Sequence, residues 1–510
     1  MLDAMLSTLD DVLTVSVIAH IAMGVFIGYL VGALPGMNRA TALAIALPFT
    51  FTMTPLVAIS FLIGINKGGA AGSAVSAILI NVPGEPSSVV TTLDGYPLTQ
   101  QGKSQKALKM GLLASVLGDV LATIVLIVVA APLARFSLGI GPVELAAILL
   151  FAITFIAAVS GHSFFKGIIS GFLGLFVASP GIDIETGIPR LTFDFYNLYD
   201  GIPLLAVAIG TLALSEMLVQ MDKGWLGRYA HNAEKFPEGS PEDSQLSFRE
   251  IRECMPTIFR SSTIGIILGL LPGLGASIAS FLSYTVAKKR SKRPELFGKG
   301  ALEGVATAEA ADNATVPASL IPVFAIGVPG SLSTALLMGA FLLHGLTPGP
   351  LIFKDDAEIV FGIYNGMILA ALLLFVIGYV GQKFFAKIIL LPDTMISPVV
   401  VLLCVIGAYV EGGGMFTVYL MLAFAFVGYF MKKFDFSFVT FLVGFILGPM
   451  LELSFRQTLI LTDQNPMKLL DHPIAIGFLV LAVFSAVRLS SVNLLKTEEI
   501  ENKPSSEDKA

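Results

Sequence analysis

Two Pro-Gly breaks occur twice in this sequence, each time in the same order. Gly32-Ala33-Leu34-Pro35-Gly36 returns as Gly269-Leu270-Leu271-Pro272-Gly273, and Asn81-Val82-Pro83-Gly84 returns as Gly327-Val328-Pro329-Gly330. Side chains with usable chemistry gather beside them: Asn38 and Arg39, Lys67, Glu85, and the group Glu309, Asp312 and Asn313. A guanidinium offers two parallel donors to a carboxylate, and a cation deep in an apolar chain is costly unless it is functional or can reach the interface. Ser73, Asn81, Ser87 and Thr91 add oxygens around the first pair of breaks, and Ser277, Ser331 and Ser333 around the second. Carbonyls, hydroxyls and carboxamides of this kind supply the roughly five or six oxygens that a sodium ion takes. Thr91, Glu309, Asp312, Asn313 and Ser333 are the candidates for that role, and Asp312 could instead carry a proton. The chemistry to expect is reversible binding of a small anion and a cation. For any one Ser or Thr the plainer expectation is a hydrogen bond to its own helix backbone.

The elements that would position these groups are interrupted membrane helices. Pro removes a backbone donor and Gly relaxes φ, so amides and carbonyls beside a Pro-Gly lose their helical partners. In lipid such groups are tolerated only where protein buries them or a cavity receives them. Interrupted segments at matching places in two halves therefore point to a transporter binding site. The interval from Pro272 to Pro329 exceeds that from Pro35 to Pro83 by nine residues, which the basic 288–299 loop accommodates.

Composition places these breaks in a bilayer. The 510 residues carry 31 Lys+Arg and 37 Asp+Glu, a formal charge of −6, and only 13% of the chain is charged, against about 25% in soluble domains. A soluble enzyme, a nucleic-acid binder and a disordered regulator are thereby excluded. Cys254 and Cys404 form neither a disulfide framework nor a CxxC motif. The five histidines lack metal-ligand spacing, so no transition metal or other cofactor is expected. Residues 1–13 hold three Asp and no Lys or Arg, unlike a cleaved secretory signal. Apolar segments able to cross about 30 Å of hydrocarbon fall at 13–34, 43–65, 107–131, 142–160, 164–178 and 202–221. After a polar loop they resume at 258–274, 276–287, 315–343, 359–380, 389–410, 416–430, 438–453 and 473–489. Roughly 11 to 14 membrane elements result. The basic clusters at 103–109, 288–299 and 432–433 should face the cytoplasm.

The run from Gly32 to Gly36, through Ser73-Ala74-Val75-Ser76-Ala77-Ile78-Leu79-Ile80-Asn81-Val82-Pro83-Gly84-Glu85-Pro86, to Thr92-Leu93-Asp94-Gly95-Tyr96-Pro97 resembles the large membrane subunit of the tripartite tricarboxylate transporter family. Thr186-Gly187-Ile188-Pro189-Arg190-Leu191-Thr192-Phe193, Phe297-Gly298-Lys299-Gly300-Ala301-Leu302-Glu303-Gly304 and Glu309-Ala310-Ala311-Asp312-Asn313-Ala314 follow in the family's order. The likeness runs to about Leu489. The sequence departs from the family pattern at Met37-Asn38-Arg39, Asn66-Lys67, Ala71 and Asp312. The resemblance implies a bacterial inner-membrane permease that takes up carboxylates with sodium or protons, alongside a small membrane subunit and a periplasmic substrate-binding protein. Self-association as a homodimer is a further expectation.

The expected architecture is an all-α polytopic membrane protein of two inverted-topology repeats with Pro-Gly-broken re-entrant hairpins. Its parts are 1–220, a cytoplasmic connecting loop 221–256, 257–490 and a polar tail 491–510. The expected activity is secondary transport, with an elevator-like movement of the broken hairpins. A passive anion channel is the rival, and a membrane enzyme is a weaker one because no His/Asp/Ser constellation supports it.

Overall fold

A computed structural model describes residues 2–35, 37–159, 163–183, 185–222, 243–273, 275–388, 393–410 and 414–501. Gly36, most of the connecting loop, and the tail after Glu501 lie outside the described residues. Seven helices among those described are long and apolar enough to cross a membrane, and five shorter apolar helices accompany them. The one sheet among the described residues is a two-residue antiparallel pairing of Gly181–Ile182 with Pro189–Arg190. The chain is thus an all-α polytopic membrane protein.

Two compact units form, and they cut across the two sequence halves: Met1–Ser137 with Leu205–Phe426, and Leu138–Leu204 with Val427–Ala510. In the first unit the elements that matter are α1 (Val15–Ala33), α2 (Arg39–Ala46), α3 (Pro55–Ile80), α4 (Val89–Gln100) and α5 (Ser104–Ser137). After the connecting loop come α6 (Phe248–Gly269), α7 (Gly275–Arg290), α8 (Leu302–Ala318), α9 (Ile321–Ile326) and α10 (Leu332–Leu343), followed by α11 (Ala357–Ile388).

Small residues set how these helices meet, as expected where lipid gives no hydrophobic drive between them. Gly24, Gly28 and Gly32 of α1 face the carbonyls of Phe61, Ile65 and Gly69 on α3, and a Cβ at any of the three would lie 2.2 Å from the oxygen. The same device joins α6 to α8, where a Cβ on Gly265 would lie 2.4 Å from the Ala311 carbonyl. This seam explains a departure from the expected spans. The apolar stretch 43–65 is not one helix: it is the end of α2, a 3-10 turn over Leu47–Thr52, and the start of α3 at Pro55. The spanning helix runs on to Ile80 through Gly68, Gly69 and Gly72, whose low hydropathy hides a stretch that is buried almost throughout. The 315–343 stretch is likewise divided among α8, α9 and α10.

At the Pro-Gly breaks the two sets of elements use the same local solutions. α3 ends at Asn81 with φ 58°, and α9 ends at Gly327 with φ 70°, the left-handed cap that Gly and Asn adopt most easily. Just after each break a hydroxyl receives a backbone N–H three residues back: Ser88 Oγ from Glu85 at 3.1 Å, and Thr334 Oγ1 from Ser331 at 2.8 Å. Within each set the two breaks touch. Gly84 packs on the Gly32 carbonyl, where a Cβ would sit 2.5 Å from the oxygen, and the Gly273 N–H donates to the Gly330 carbonyl at 3.1 Å.

The second unit holds helices Pro142–Val159, Phe164–Val177, Phe438–Leu461 and Pro473–Glu501. There the 183–190 loop, part of a motif singled out in the sequence, is tied to the helix Phe438–Leu461 by ions. Arg190 forks onto Glu452, with Nη2 to Oε2 at 2.9 Å, and Arg456 Nη2 bridges Asp183 Oδ2 at 2.5 Å and Glu452 Oε1 at 2.6 Å. The Arg456 guanidinium, helped by the Thr186 backbone N–H, holds the Asp183 carboxyl well below the usual carboxylate range. A depressed carboxylate contributes stability above its unfolded pKa, about 3.9, and loses it as pH falls toward the folded value. The loop should therefore keep constant protection from amide exchange between pH 5 and 8 and lose it in stronger acid. Arg456→Leu is expected to raise exchange across 181–190 several-fold at neutral pH; unchanged exchange would show the network to be idle.

Candidate functional site

Arg39 begins α2, directly after its N-cap Asn38, whose Oδ1 accepts the Thr41 N–H at 2.9 Å. The cap fixes where Arg39 leaves the backbone. The Arg39 amide donates to Glu85 Oε1 at 2.9 Å, and Nε lies 3.1 Å from Glu85 Oε2. Nη2 is 3.5 Å from Asp312 Oδ1, an ion pair without hydrogen-bond geometry. Ser87 Oγ donates to the other oxygen of Asp312 at 3.0 Å. A guanidinium from the first set of elements is thus held between a carboxylate of its own set and one of the other. Arg39 Nη1 and Asp312 Oδ1 are buried without a hydrogen-bond partner, an uncommon and costly state for such groups.

Arg39 also forms part of the wall of a narrow cavity, with Asn66, Thr315, Ser319, Ser331 and Ser333. The backbone of Gly269, Gly275 and Gly330 completes it, so segments around both second-set breaks meet Arg39 there. Asn66 Oδ1 is a further buried polar atom without a partner. The free space in this conformation is on the order of one water molecule, so a carboxylate would enter only with the walls parted. The lining is basic and hydroxylic, which suits carboxylate oxygens.

Behind this wall lies a second polar cluster. Glu309, one turn before Asp312 on α8, is fully buried. Its Oε1 accepts from Thr91 Oγ1 at 2.6 Å and its Oε2 from Ser115 Oγ at 3.1 Å, while Asn313 Nδ2 donates to Ser115 Oγ at 2.9 Å. Glu85 and Asp312 thus flank one guanidinium, and Glu309 lies one turn from Asp312 on α8. The surplus negative charge calls for a cation or a proton whenever Arg39 is the only positive group present. Among the described residues no cluster of His, Cys, Asp and Glu is arranged to hold a metal.

Lys67 lies elsewhere. It sits mid-helix in α3, and its ammonium donates to Asp119 Oδ2 at 2.7 Å, Thr123 Oγ1 at 3.2 Å and the Met367 carbonyl at 2.9 Å. All three of its donors are spent, and its neighbour Asn66 is the residue at the cavity. Of the other candidates, Ser73 bonds its own helix through the Ala70 carbonyl, at 2.8 Å. Asn81, Pro83, Gly84, Pro272, Gly273 and Pro329 build the breaks themselves. Ser277 is only partly buried on α7, outside the cavity wall, and Pro35 precedes Gly36, which is outside the described residues. Sequence reasoning missed Asn66 as a wall residue, and also Ser115, Thr315 and Ser319. A single hydroxyl in an apolar helix carries no local signal, although Ser319 precedes Gly330 by the same eleven residues as Ser73 precedes Gly84.

Long apolar helices broken at paired Pro-Gly turns around a polar internal cavity define a multi-pass membrane protein. Residues 18–443 match the model of the Tripartite tricarboxylate transporter TctA family. The chain belongs to this family, a transporter component rather than an enzyme family, and is the large subunit of a system with other subunits. A relative from Agrobacterium vitis, named "Uncharacterized 52.8 kDa protein in TAR-I ttuC' 3'region", is 33% identical over 465 residues, covering 91% of each chain. A second from the same organism, "Uncharacterized protein in TAR-II ttuC' 3'region", is 35% identical over 223 residues, 44% of this chain and 92% of its own. No solved structure matches.

Proposed function

We propose that this subunit imports small dicarboxylates or tricarboxylates into a bacterial cell by cation symport. The observation that carries the reading is Arg39: one nitrogen without a partner, in the wall of a cavity to which both sets of broken elements contribute. A substrate carboxylate would take that nitrogen, while hydroxyls of Ser331 and Ser333 and the Asn66 amide receive the remainder. The coupling ion, Na+ or H+, would offset the surplus charge of Glu85, Glu309 and Asp312, with Thr91 and Asn313 as neighbours. The matched caps at Asn81 and Gly327 support two inverted-topology repeats, whose hairpins would move together past the remaining helices in an elevator-like step. Substrate would arrive from a periplasmic binding protein, with a small membrane subunit completing the inner-membrane complex, and the permease would pair with a second copy of itself as a homodimer.

The test is uptake of labelled dicarboxylates and tricarboxylates into vesicles, with and without a sodium or proton gradient, and with the binding protein added. Accumulation above the external concentration, dependent on one gradient, is expected. Equilibration without accumulation would identify a passive pore and overturn the reading.

A further inference from the structure

Two of the motifs read from the sequence, Thr92-Leu93-Asp94-Gly95-Tyr96-Pro97 and Phe297-Gly298-Lys299-Gly300-Ala301, have no part in the cavity wall, yet they meet at one carboxylate. Asp94 on α4 is completely buried. Its Oδ1 accepts the backbone N–H groups of Gly298 at 2.8 Å, Gly300 at 2.9 Å and Ala301 at 2.9 Å, and its Oδ2 accepts the Tyr284 hydroxyl at 2.8 Å. Gly298 and Gly300 have φ of 86° and 106°, which turn successive amides toward one point at the start of α8. The site leaves no margin for another residue: a Cβ on Gly304 would fall on Asp94 Oδ2. Four donors thus hold a carboxyl group that has no cationic partner among the described residues, at the positive end of α8.

The same side of this segment carries the hydroxyls that reach the acids. Ser87 bonds Asp312, Thr91 bonds Glu309 and Asp94 bonds the start of α8, while Gln101 Nε2 donates to the Lys299 carbonyl at 2.8 Å. Positions 87, 91 and 94 recur at helical spacing, and their partners run backward along the chain, from 312 through 309 to 298–301. The segment is zipped antiparallel onto α8.

We propose that Asp94 is a positioning residue that locks α4 to the start of α8, so that Ser87 and Thr91 stay on Asp312 and Glu309 and the two segments move as one body. This rests on the reading of Glu309 and Asp312 as the coupling-ion site. Tight anchoring at one end sets the register of the whole zipper, since a helix that shifts at Asp94 carries Thr91, one turn away, with it.

The test compares Asp94→Ala with Asp94→Asn, in which an amide oxygen can still accept the three N–H groups. Amide exchange on the full-length protein in detergent should rise at least fivefold in Asp94→Ala across both 86–96 and 305–315, and stay within twofold of the parent in Asp94→Asn. In vesicles, Asp94→Ala should raise the cation concentration for half-maximal uptake at least fivefold, and Asp94→Asn should restore it. Tyr284→Phe, which removes one donor, covers the case in which Asp94→Ala does not fold; a smaller shift in the same two stretches is expected. Exchange that rises only over 298–304, or uptake that falls only in maximal rate, would overturn the lock. If the parent shows no cation-driven uptake, the symport reading fails, and the exchange arm still judges the lock.

Discussion

Arg39→Lys is expected to reduce carboxylate uptake about thirtyfold or more in reconstituted vesicles while the protein still reaches the membrane. Removing one partner of a buried, hydrogen-bonded charge pair costs about 2 to 5 kcal/mol, and tenfold corresponds to about 1.4 kcal/mol. A lysine keeps the positive charge that Glu85 and Asp312 require, but its point charge cannot present one nitrogen to Glu85, another toward Asp312 and a third to a substrate. Arg39→Ala should transport no better and fold worse, because it leaves both acids without their counter-charge. The triple variant Arg39→Ala, Glu85→Gln, Asp312→Asn should recover expression without recovering uptake. Uptake by Arg39→Lys within threefold of the parent would remove the guanidinium fork from substrate binding.

The second large effect concerns stability. Lys67→Met should destabilise the protein by about 3 to 5 kcal/mol, since it strands a buried Asp119 carboxylate. The double change Lys67→Met with Asp119→Leu should recover most of that loss, because a buried ion pair replaced by apolar groups of similar volume is often neutral or better. The thermal midpoint of the detergent-purified protein reads the difference: a clear drop for the single variant and near-parental behaviour for the double. A double variant as unstable as the single would show that the pair is not the cause. Restored stability with normal uptake would place Lys67 among the structural residues.

The contrast between Arg39 and Lys67 also shows what the sequence carried and what it could not. Both are cations near the first pair of breaks, and the sequence treats them alike. Arg39 follows a Pro-Gly and an Asn cap, local signals that put it at an irregular helix start. Lys67 is decided by Asp119 and Met367, which lie far away in the chain, and no local pattern encodes such a partner. The all-helical membrane class, the paired breaks and the family were legible because hydropathy and Pro-Gly spacing are local. The extent of α3 was not, since glycines that let α1 approach lower the very hydropathy by which a span is recognised. Asp94 shows in the sequence only as part of a motif for the same reason: its four donors come from α7 and the chain ahead of α8.

The division of charge between the two halves has a consequence for how the protein is made. The half that leaves the ribosome first carries Arg39 with Glu85, a balanced pair, whereas the later half brings Glu309 and Asp312, which meet no cation of that half among the described residues. Insertion in chain order means that the guanidinium is already in the bilayer when the unbalanced acids arrive. A polypeptide beginning at the connecting loop would have to bury those two acids alone, so biogenesis of the later half depends on the earlier one being in place.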